Sequence, residues 1–298
     1  MDINRGNMNA LFTGYNTLFR DAFSTASNTF EQFSMTIPAN GQIVEYPFLE
    51  AFGGMRKWIG DRQIKNISSK KLTVKEDPYE DTVSVKKRDI ETDTFGVYAP
   101  LIQQMGLNAG KLWNDLAYEA LLANGDWLDG NAFFGTTRKY GKNTISNYTT
   151  SALSESTFNA AYLAMMSYKT HNDRPMGVVP NLLIVGPNLR TTAWDIVKNQ
   201  FNYDFSDKVQ KRNVNENLVD LLIVPDLIGT YDDYWFLFAT KGVIKPVLVQ
   251  TGKQPVLTRL DKDTDENVFM RNEFLYGTEA FGAAALAFPH LAYAGIVS

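Results

Sequence analysis

The stretch "DRQIKNISSKKLTVKEDPYEDTVSVKKRDIETD" (residues 61–93) differs in composition from the rest of the chain. Sixteen of its 33 residues are charged, eight of them basic and eight acidic. Apolar and polar residues alternate in "KKLTVK" and in "DTVSVKK", on either side of the turn-forming "EDPYED", which is typical of two hairpin strands. A two-stranded hairpin with few apolar side chains is marginally stable in water. We therefore expect a long β-hairpin that needs a neighbouring structure.

Two kinds of neighbour could support this hairpin. It could lie against its own domain with its charges solvated, or it could be covered by a second copy of the chain. The preceding "GGMRKWIGDRQIKN" (residues 53–66) raises the same question, because Trp58 stands among charged residues with Gly53, Gly54 and Gly60 around it. Such a tryptophan is buried either in its own core or by another chain. The residues by themselves leave both arrangements open.

The composition narrows the class of protein. The 298 residues are 44% hydrophobic and 21% charged, which is typical of a globular protein with a sizeable core in one or two domains. A net charge of −4 gives no attraction to nucleic acid, and the absence of cysteine excludes disulfides and thiolate chemistry. No apolar run reaches the ~18 residues of a membrane span, and the first residues lack a signal-peptide layout. We expect a protein made inside the cell, with no membrane partner.

The periodicity of apolar residues predicts an α+β chain. Helical spacing begins at Leu11, returns in a long helix from Phe95 to Asn124, and occurs again after Ser154. The pattern between residues 41 and 49 is extended. Strands are predicted in "NLLIVG", "VDLLIVP" and "YWFLFAT", with a helix opening at Pro187 among them, which indicates a compact α/β unit. The last stretch, "NVFMRNEFLYGTEAFGAAALAFPHLAYAG", is strand-like and is expected to pack on the long helix.

Few residues carry a pattern of catalysis. "GNAFFGTT" (residues 130–137) has the glycine spacing of a phosphate loop, but it lacks the lysine and follows a helix instead of a strand. The two histidines, His171 and His290, do not belong to a motif that joins a nucleophile and its base. We therefore expect neither enzyme activity nor a cofactor.

The acidic stretch "DKDTDEN" (residues 261–267) is the best candidate for a metal site. Asp261, Asp263 and Asp265 match positions 1, 3 and 5 of a calcium-binding loop. The glycine required at position 6 and the bidentate glutamate required at position 12 are a glutamate and an asparagine here. The three aspartates are therefore weak candidates, and a solvated turn between two strands explains the stretch equally well.

Five stretches in a fixed order resemble one known family. They are "ALFTGYNTLFRDAF", "MRKWIGDRQIKN", "DIETDTFGVYAPLIQQMG", "LAYEALLANG" and "DGNAFFG". Together they are similar to the major head subunit of Mu-like phages, a family built on the HK97-type capsid fold. The similarity is strong over about the first half of the chain and rests mainly on the order of elements over the rest. After Phe134 the chain departs from the family, since "GTTRKYGKN" replaces a stretch with aspartate and histidine.

This resemblance implies an α+β, HK97-like major capsid fold in five segments. Residues 1–50 would form an N-terminal arm, and residues 51–93 an extended β-hairpin loop that reaches over a neighbouring subunit. Residues 94–150 would form the peripheral domain with its long spine helix, and residues 151–260 the α/β axial domain. Residues 261–298 would be strands that return to the peripheral domain.

The function that the resemblance implies is that of a major capsid protein, which self-assembles into the icosahedral head shell of a tailed bacteriophage or prophage. The shell would contain pentamers and hexamers of this chain and enclose double-stranded DNA without sequence-specific binding. Scaffold and portal proteins would be partners during assembly in the host bacterial cytoplasm, and the final location would be the virion. Two alternatives are the shell of an encapsulin-type compartment and a carboxylate-metal hydrolase.

The resemblance also indicates which residues meet neighbouring subunits. Trp58 would lie at the root of the extended loop, buried by the edge of its own core or by a neighbour. The predicted inter-subunit contacts are Phe19, Phe23, Trp58, Arg62, Lys65, Lys70, Lys71, Lys75, Glu76 and Asp77.

We expect reversal of two of these charges, Lys70→Glu with Lys71→Glu, to leave the subunit folded but to weaken or abolish closed-shell formation. An exposed ion pair contributes only ~0.2–1 kcal/mol, but a shell repeats it many times. Salt screens such pairs over ~10 Å at 0.1 M, so high salt should cause the same defect before it unfolds the protein. Electron microscopy and circular dichroism measure the two effects. Normal shells with unchanged salt tolerance would show that these charges only solvate the hairpin.

Overall fold

Helices and strands are interleaved along the whole chain, as the apolar periodicity predicts. The computed structural model describes residues 5–39, 41–47, 71–92, 95–140, 142–170, 173–204 and 209–297. Within these residues the helices are α1 (Arg5–Thr25), α2 (Lys87–Glu91), α3 (Phe95–Ala123), α4 (Glu155–Met166), α5 (Arg190–Val197) and α6 (Glu266–Arg271). The strands are β1 (Ser34–Pro38), β2 (Ile43–Pro47), β3 (Lys71–Lys75), β4 (Asp77–Lys86), β5 (Arg138–Tyr140), β6 (Asn143–Ile145), β7 (Tyr148–Thr149), β8 (Leu182–Val185), β9 (Phe201–Asp204), β10 (Val209–Arg212), β11 (Asp220–Ile223), β12 (Trp235–Phe238), β13 (Val247–Leu260), β14 (Glu273–Leu286) and β15 (Ala292–Gly295).

The 29-residue helix α3 is the central element of the fold, and the long helix expected from the sequence is confirmed. On one side it contacts α1, whose buried residues recur at helical spacing. Gly106 makes this approach possible, because a Cβ there would collide with the backbone carbonyl of Phe19. None of the helices in the described ranges is long and apolar enough to cross a membrane.

A four-stranded sheet, in the order β1-β13-β14-β4, packs against α3. Its two central strands, β13 and β14, are each 14 residues long and antiparallel, while β1 joins β13 in parallel. The indole of Trp113 on α3 lies where a Cβ of Gly282 on β14 would be, so the helix and the sheet come close at this point. The expectation that the C-terminal stretch packs on the long helix is confirmed for β14.

A second sheet has five strands in the order β11-β8-β12-β15-β7. All four residues of β8 and all four of β12 are buried, which is typical of strands covered on both faces. Helix α4 begins after Ser154, whose side chain accepts a hydrogen bond from the backbone N–H of Thr157 in a capping box. The predicted α/β unit is therefore present, with its helices at the positions that the apolar spacing indicates.

Two expected segment boundaries do not coincide with these sheets. β13 was expected in the axial segment 151–260, but it pairs with β14 in the sheet on α3. β15 was expected to return to the peripheral domain within residues 261–298, but it pairs with β12 in the five-stranded sheet. β13 pairs with β14 because both strands are 14 residues long. β15 lies inside the five-stranded sheet because all four of its residues are buried.

The predicted pairing of "KKLTVK" with "DTVSVKK" is wrong. β3 pairs with β2, and β4 pairs with β14. A single residue, Glu76, separates β3 from β4, so the chain does not turn back on itself there. Val83 and Val85 of β4 lie opposite Tyr276 and Phe274 of β14 and complete an apolar cluster with them. A β-hairpin is nevertheless present, formed by β2 and β3, and residues 87–91 form a helix.

We expect two glycine substitutions to change stability in opposite directions. A Cβ at Gly14 on α1 meets no atom within 4 Å, so Gly14→Ala should raise the free energy of unfolding by ~0.5–1 kcal/mol through helix propensity. Gly106→Ala should lower it by about 1–3 kcal/mol, because the added methyl forces α1 away from α3. Urea unfolding of unassembled subunits measures both values. Equal effects at the two positions would contradict the close packing of the helices.

Candidate assembly surfaces

Apolar side chains on one face of the β2–β3 hairpin pack against the four-stranded sheet. Tyr46, Leu72 and Val74 lie in one cluster with Leu248 of β13 and with Phe288, which follows β14. The alternate side chains of β3 are exposed. The hairpin is therefore anchored to the subunit by its apolar face and presents a polar face to water.

A buried chain of hydrogen bonds fixes the root of this hairpin. The Tyr46 hydroxyl donates to Gln250 Oε1 at 2.8 Å, and Gln250 Nε2 donates to Glu76 Oε1 at 2.9 Å. Glu76 is 7% exposed and Gln250 is fully buried. Burial, with a smaller effect of the Glu76 carboxylate, raises the pKa of Tyr46, so its hydroxyl keeps the proton that it donates. Side chains from β2 and from the end of β3 thus meet one glutamine of β13, which sets the angle between hairpin and sheet.

The predicted contact residues fall into three groups. Trp58, Arg62, Lys65 and Lys70 lie outside the described residues, so their contacts stay predictions. Three others are exposed on the surface, and they are Lys71, Lys75 and Asp77. The Lys71 ammonium lies 2.6 Å from the Glu45 carboxylate across the hairpin, and both side chains are about half exposed. An ion pair this exposed leaves Lys71 free to exchange partners at little cost.

The third group lies inside the subunit. Glu76 is buried at the hairpin root, as described above. Phe19 is 2% exposed and belongs to the cluster that α1 forms with Met105 and Phe274, so it is a core residue of its own chain. The prediction that Phe19 contacts another subunit is wrong, because its side chain is buried within its own chain. The helical spacing that suggested Phe19 is typical of a helix face that packs on its own core. Phe23 stacks on Phe19 with a centroid distance of 6.4 Å and is half-buried, so its role stays a prediction.

Sequence reasoning missed several exposed apolar side chains that could form contacts. On α6, Phe269 and Met270 are 80% and 70% exposed, whereas Val268 is buried. Val214 and Val243 are 81% and 96% exposed. The strand predicted through "NVFMRN" is a short helix, so two neighbouring apolar residues both face away from the core. Aspartates such as those before α6 are typical of a helix N-terminus, so they could have indicated a helix instead of a strand.

The three aspartates of "DKDTDEN" do not converge on one point. Asp261 accepts a hydrogen bond from Arg259, Asp263 pairs with Lys87 at 3.0 Å, and Asp265 accepts from the backbone N–H of Lys262. Within the described residues there is no group of three or more histidine, cysteine, aspartate or glutamate side chains that could hold a metal ion. Burial raises the pKa of Asp261, and Arg259 partly offsets this shift. The stretch forms a turn that leads into α6.

The sequence matches one known protein family over nearly its whole length. The model of the Mu-like prophage major head subunit gpT matches residues 8–152, 140–227 and 222–296. The chain belongs to the Mu-like major head subunit family. A Mu-like prophage FluMu major head subunit from Haemophilus influenzae is 23% identical over 96% of this chain and 71% of its own length. The major capsid protein of Escherichia phage Mu is 23% identical over 99% of this chain and 75% of its own length.

Solved capsids share the fold of this Mu-like head subunit. The procapsid of bacteriophage JBD30 contains a chain that is 25% identical, with a TM-score of 0.62, over 98% of this chain and 76% of that one. The α+β, HK97-like capsid fold expected from the sequence is thereby confirmed. The recognition of the Mu-like family from five short stretches is confirmed as well.

We expect calcium to leave the melting temperature of this Mu-like head subunit unchanged, because each candidate aspartate is engaged with a separate protein group. Asp263→Ala should also leave stability nearly unchanged, since the Asp263 side chain is 81% exposed and its pair with Lys87 is weak. Scanning calorimetry with and without calcium measures both effects. A rise in melting temperature with calcium that the variant loses would establish a calcium site.

Proposed function

We propose that this Mu-like head subunit is a major capsid protein that assembles into the icosahedral head shell of a tailed bacteriophage or prophage. The observation that carries the proposal is the family match along nearly the whole chain, together with the capsid fold. The enclosed material is double-stranded DNA, held without sequence-specific contacts. The net charge of −4 suits this role, because a strongly basic wall would bind the genome and hinder its movement.

Many weak contacts between identical subunits produce the shell. Closed assemblies repeat the same surface patches, so a contact of small free energy is multiplied by the number of subunits. The polar face of the β2–β3 hairpin and the exposed apolar pair on α6 are suited to such contacts. The role is structural, without a catalytic reaction or a cofactor.

Pentamers and hexamers of this chain are the proposed building units, with scaffold and portal proteins as partners in the host bacterial cytoplasm. The four-stranded sheet with α3 corresponds to the proposed peripheral domain, and the five-stranded sheet with α4 and α5 to the proposed axial domain. The proposed extended loop is residues 51–93, and its strand β3 pairs with β2 of the proposed arm. The N-terminal arm is residues 1–50, of which α1 packs on α3.

An encapsulin-type compartment would have the same fold but would contain protein cargo instead of DNA. Family membership favours the phage head, because the match is to head subunits and covers the chain almost from end to end. Whether the assembled particle contains DNA or cargo protein would distinguish the two functions.

We expect the purified chain to form capsomers, sheets or shells, and a scaffold protein expressed with it to increase the yield of closed shells. Light scattering and negative-stain electron microscopy over a range of concentrations measure assembly. Phe269→Ser with Met270→Ser on α6 should reduce assembly without lowering stability, since both side chains are exposed in the subunit. A chain that stays monomeric at high concentration, with and without scaffold, would contradict the proposed function.

A further inference from the structure

A small cavity of about 240 Å³ lies where β4 and β14 meet α3. Four elements of one subunit form its walls, namely α3, β4, β13 and β14. The apolar part of the wall consists of Ala109 and Leu112 of α3, Pro255 of β13 and Ala280 of β14. The volume is below the ~300–1,000 Å³ of most ligand sites, so the cavity is suited to a small ligand.

One polar pair interrupts the apolar side of the sheet at this cavity. β4 and β14 pair in a continuous register, and successive side chains of a strand point to opposite faces. Tyr79 and Val83 of β4 pack against the apolar clusters that α3 forms with the sheet. Asp81 stands between these two residues on the same face, and it lies opposite Thr278 of β14. A carboxylate and a hydroxyl thus occupy neighbouring positions where the rest of this face is apolar.

Both polar groups lack a partner within the part of the chain that the structure describes. Thr278 is 7% exposed, and its buried hydroxyl has no hydrogen-bond partner there. Asp81 is half-buried, and no cation of the described residues forms an ion pair with it. A buried polar group without a hydrogen bond is destabilising, so an unpartnered hydroxyl beside a cavity indicates a missing ligand.

The charges around the cavity favour a positively charged ligand. Burial raises the pKa of Tyr79 in the cavity wall, and the carboxylates of Asp77 and Glu119 raise it further. The Glu279 carboxylate is paired with the Lys253 ammonium, so this lysine is already compensated. The surroundings of the cavity therefore remain negative, which attracts cations.

The composition of the wall determines which kind of cation fits. A calcium or magnesium ion requires several oxygen ligands, and no group of three or more acidic, histidine or cysteine side chains that could hold a metal occurs in the described ranges. An ammonium group at the end of an alkyl chain has three N–H donors for oxygen acceptors, and its chain can lie along apolar surface. The one carboxylate and one hydroxyl beside an apolar wall match this class of ligand.

We propose that this cavity binds a small aliphatic amine in its ammonium form, with the Asp81 carboxylate and the Thr278 hydroxyl as acceptors. Leu112 and Ala280 would contact the alkyl chain. The amine would give the buried hydroxyl its missing hydrogen bond and join β4 to α3, so it would stabilise the subunit. One subunit supplies all of these residues, and the inference therefore does not depend on the proposed function.

The first test measures binding of butylamine to unassembled subunits by ligand-observed NMR in an amine-free buffer. We expect a dissociation constant on the order of 1 mM, and at least about tenfold weaker binding of 1-butanol and of ammonium chloride, which each lack one half of the ligand. Asp81→Asn should weaken binding of butylamine by about tenfold or more. Asp77→Asn is the matched control and should change it by less than about twofold, because Asp77 is an exposed carboxylate of the same strand. Unchanged binding by the Asp81→Asn variant, or binding of 1-butanol as tight as that of butylamine, would overturn the inference.

The second test is Thr278→Val, which keeps the shape of the side chain and removes its hydroxyl. Without ligand, this variant should melt at a temperature about 2 °C higher than the unmodified subunit, because an unpartnered buried hydroxyl is lost. Its affinity for butylamine should nevertheless fall by about fivefold. An unchanged affinity would show that the hydroxyl is not part of a ligand site and would overturn the assignment.

The third test repeats the butylamine titration on assembled shells. A free amine should bind shells and unassembled subunits with affinities within about threefold of each other, because the cavity belongs to a single subunit. Binding to subunits but not to shells would show that the cavity receives a lysine side chain of another polypeptide, and would overturn a free amine as its ligand. Failure of the unmodified chain to form shells would instead contradict the proposed function and leave the results on subunits valid.

Discussion

The packing of α3 against both sheets is the contact on which the rest of the subunit depends. Its apolar residues share one cluster with the buried strands of the five-stranded sheet and with the start of β13 in the other sheet. The indole of Trp113 takes the space that a side chain at position 282 would need. Each fully buried apolar side chain contributes roughly 1.5–3 kcal/mol. Because α3 packs against both sheets, the two sheets share one apolar core.

The hairpin is attached to that core differently from the other strands. An apolar face and a chain of buried hydrogen bonds through Gln250 hold its base, while residues 48–70, which connect its two strands, include seven charged residues. A buried polar network costs stability when any member loses its partner, so it fixes one geometry more strictly than an apolar contact does. This network therefore fixes the orientation of β2 and β3 on the four-stranded sheet.

Much of the fold could be predicted from local pattern, and the errors came from pairing over long distances. The long helix, the capped helix after Ser154 and the buried strands were all visible as apolar periodicity. The partner of each strand was not, because alternation shows that a strand has two faces but does not show which edge it joins. Thus β4 was paired with β3 instead of β14. Phe19 illustrates the same difficulty for sites, since periodicity identifies a buried face without telling whether its cover is the same chain or another one.

The edge of the four-stranded sheet shows why the contacts of this subunit should pass through side chains. β4 is the last strand in the order of that sheet, so its outer backbone groups have no strand partner within the described residues. An open edge of this kind can pair with any other edge, which leads to uncontrolled aggregation. Asp77, Glu80 and Asp81 are placed on β4 and make such pairing between two copies unfavourable through repulsion of like charges. The same carboxylates leave the strand accessible to basic side chains. The negative charge on β4 therefore opposes backbone pairing between copies but permits ionic contacts. The strength of such contacts depends on the salt concentration and on the charged residues present.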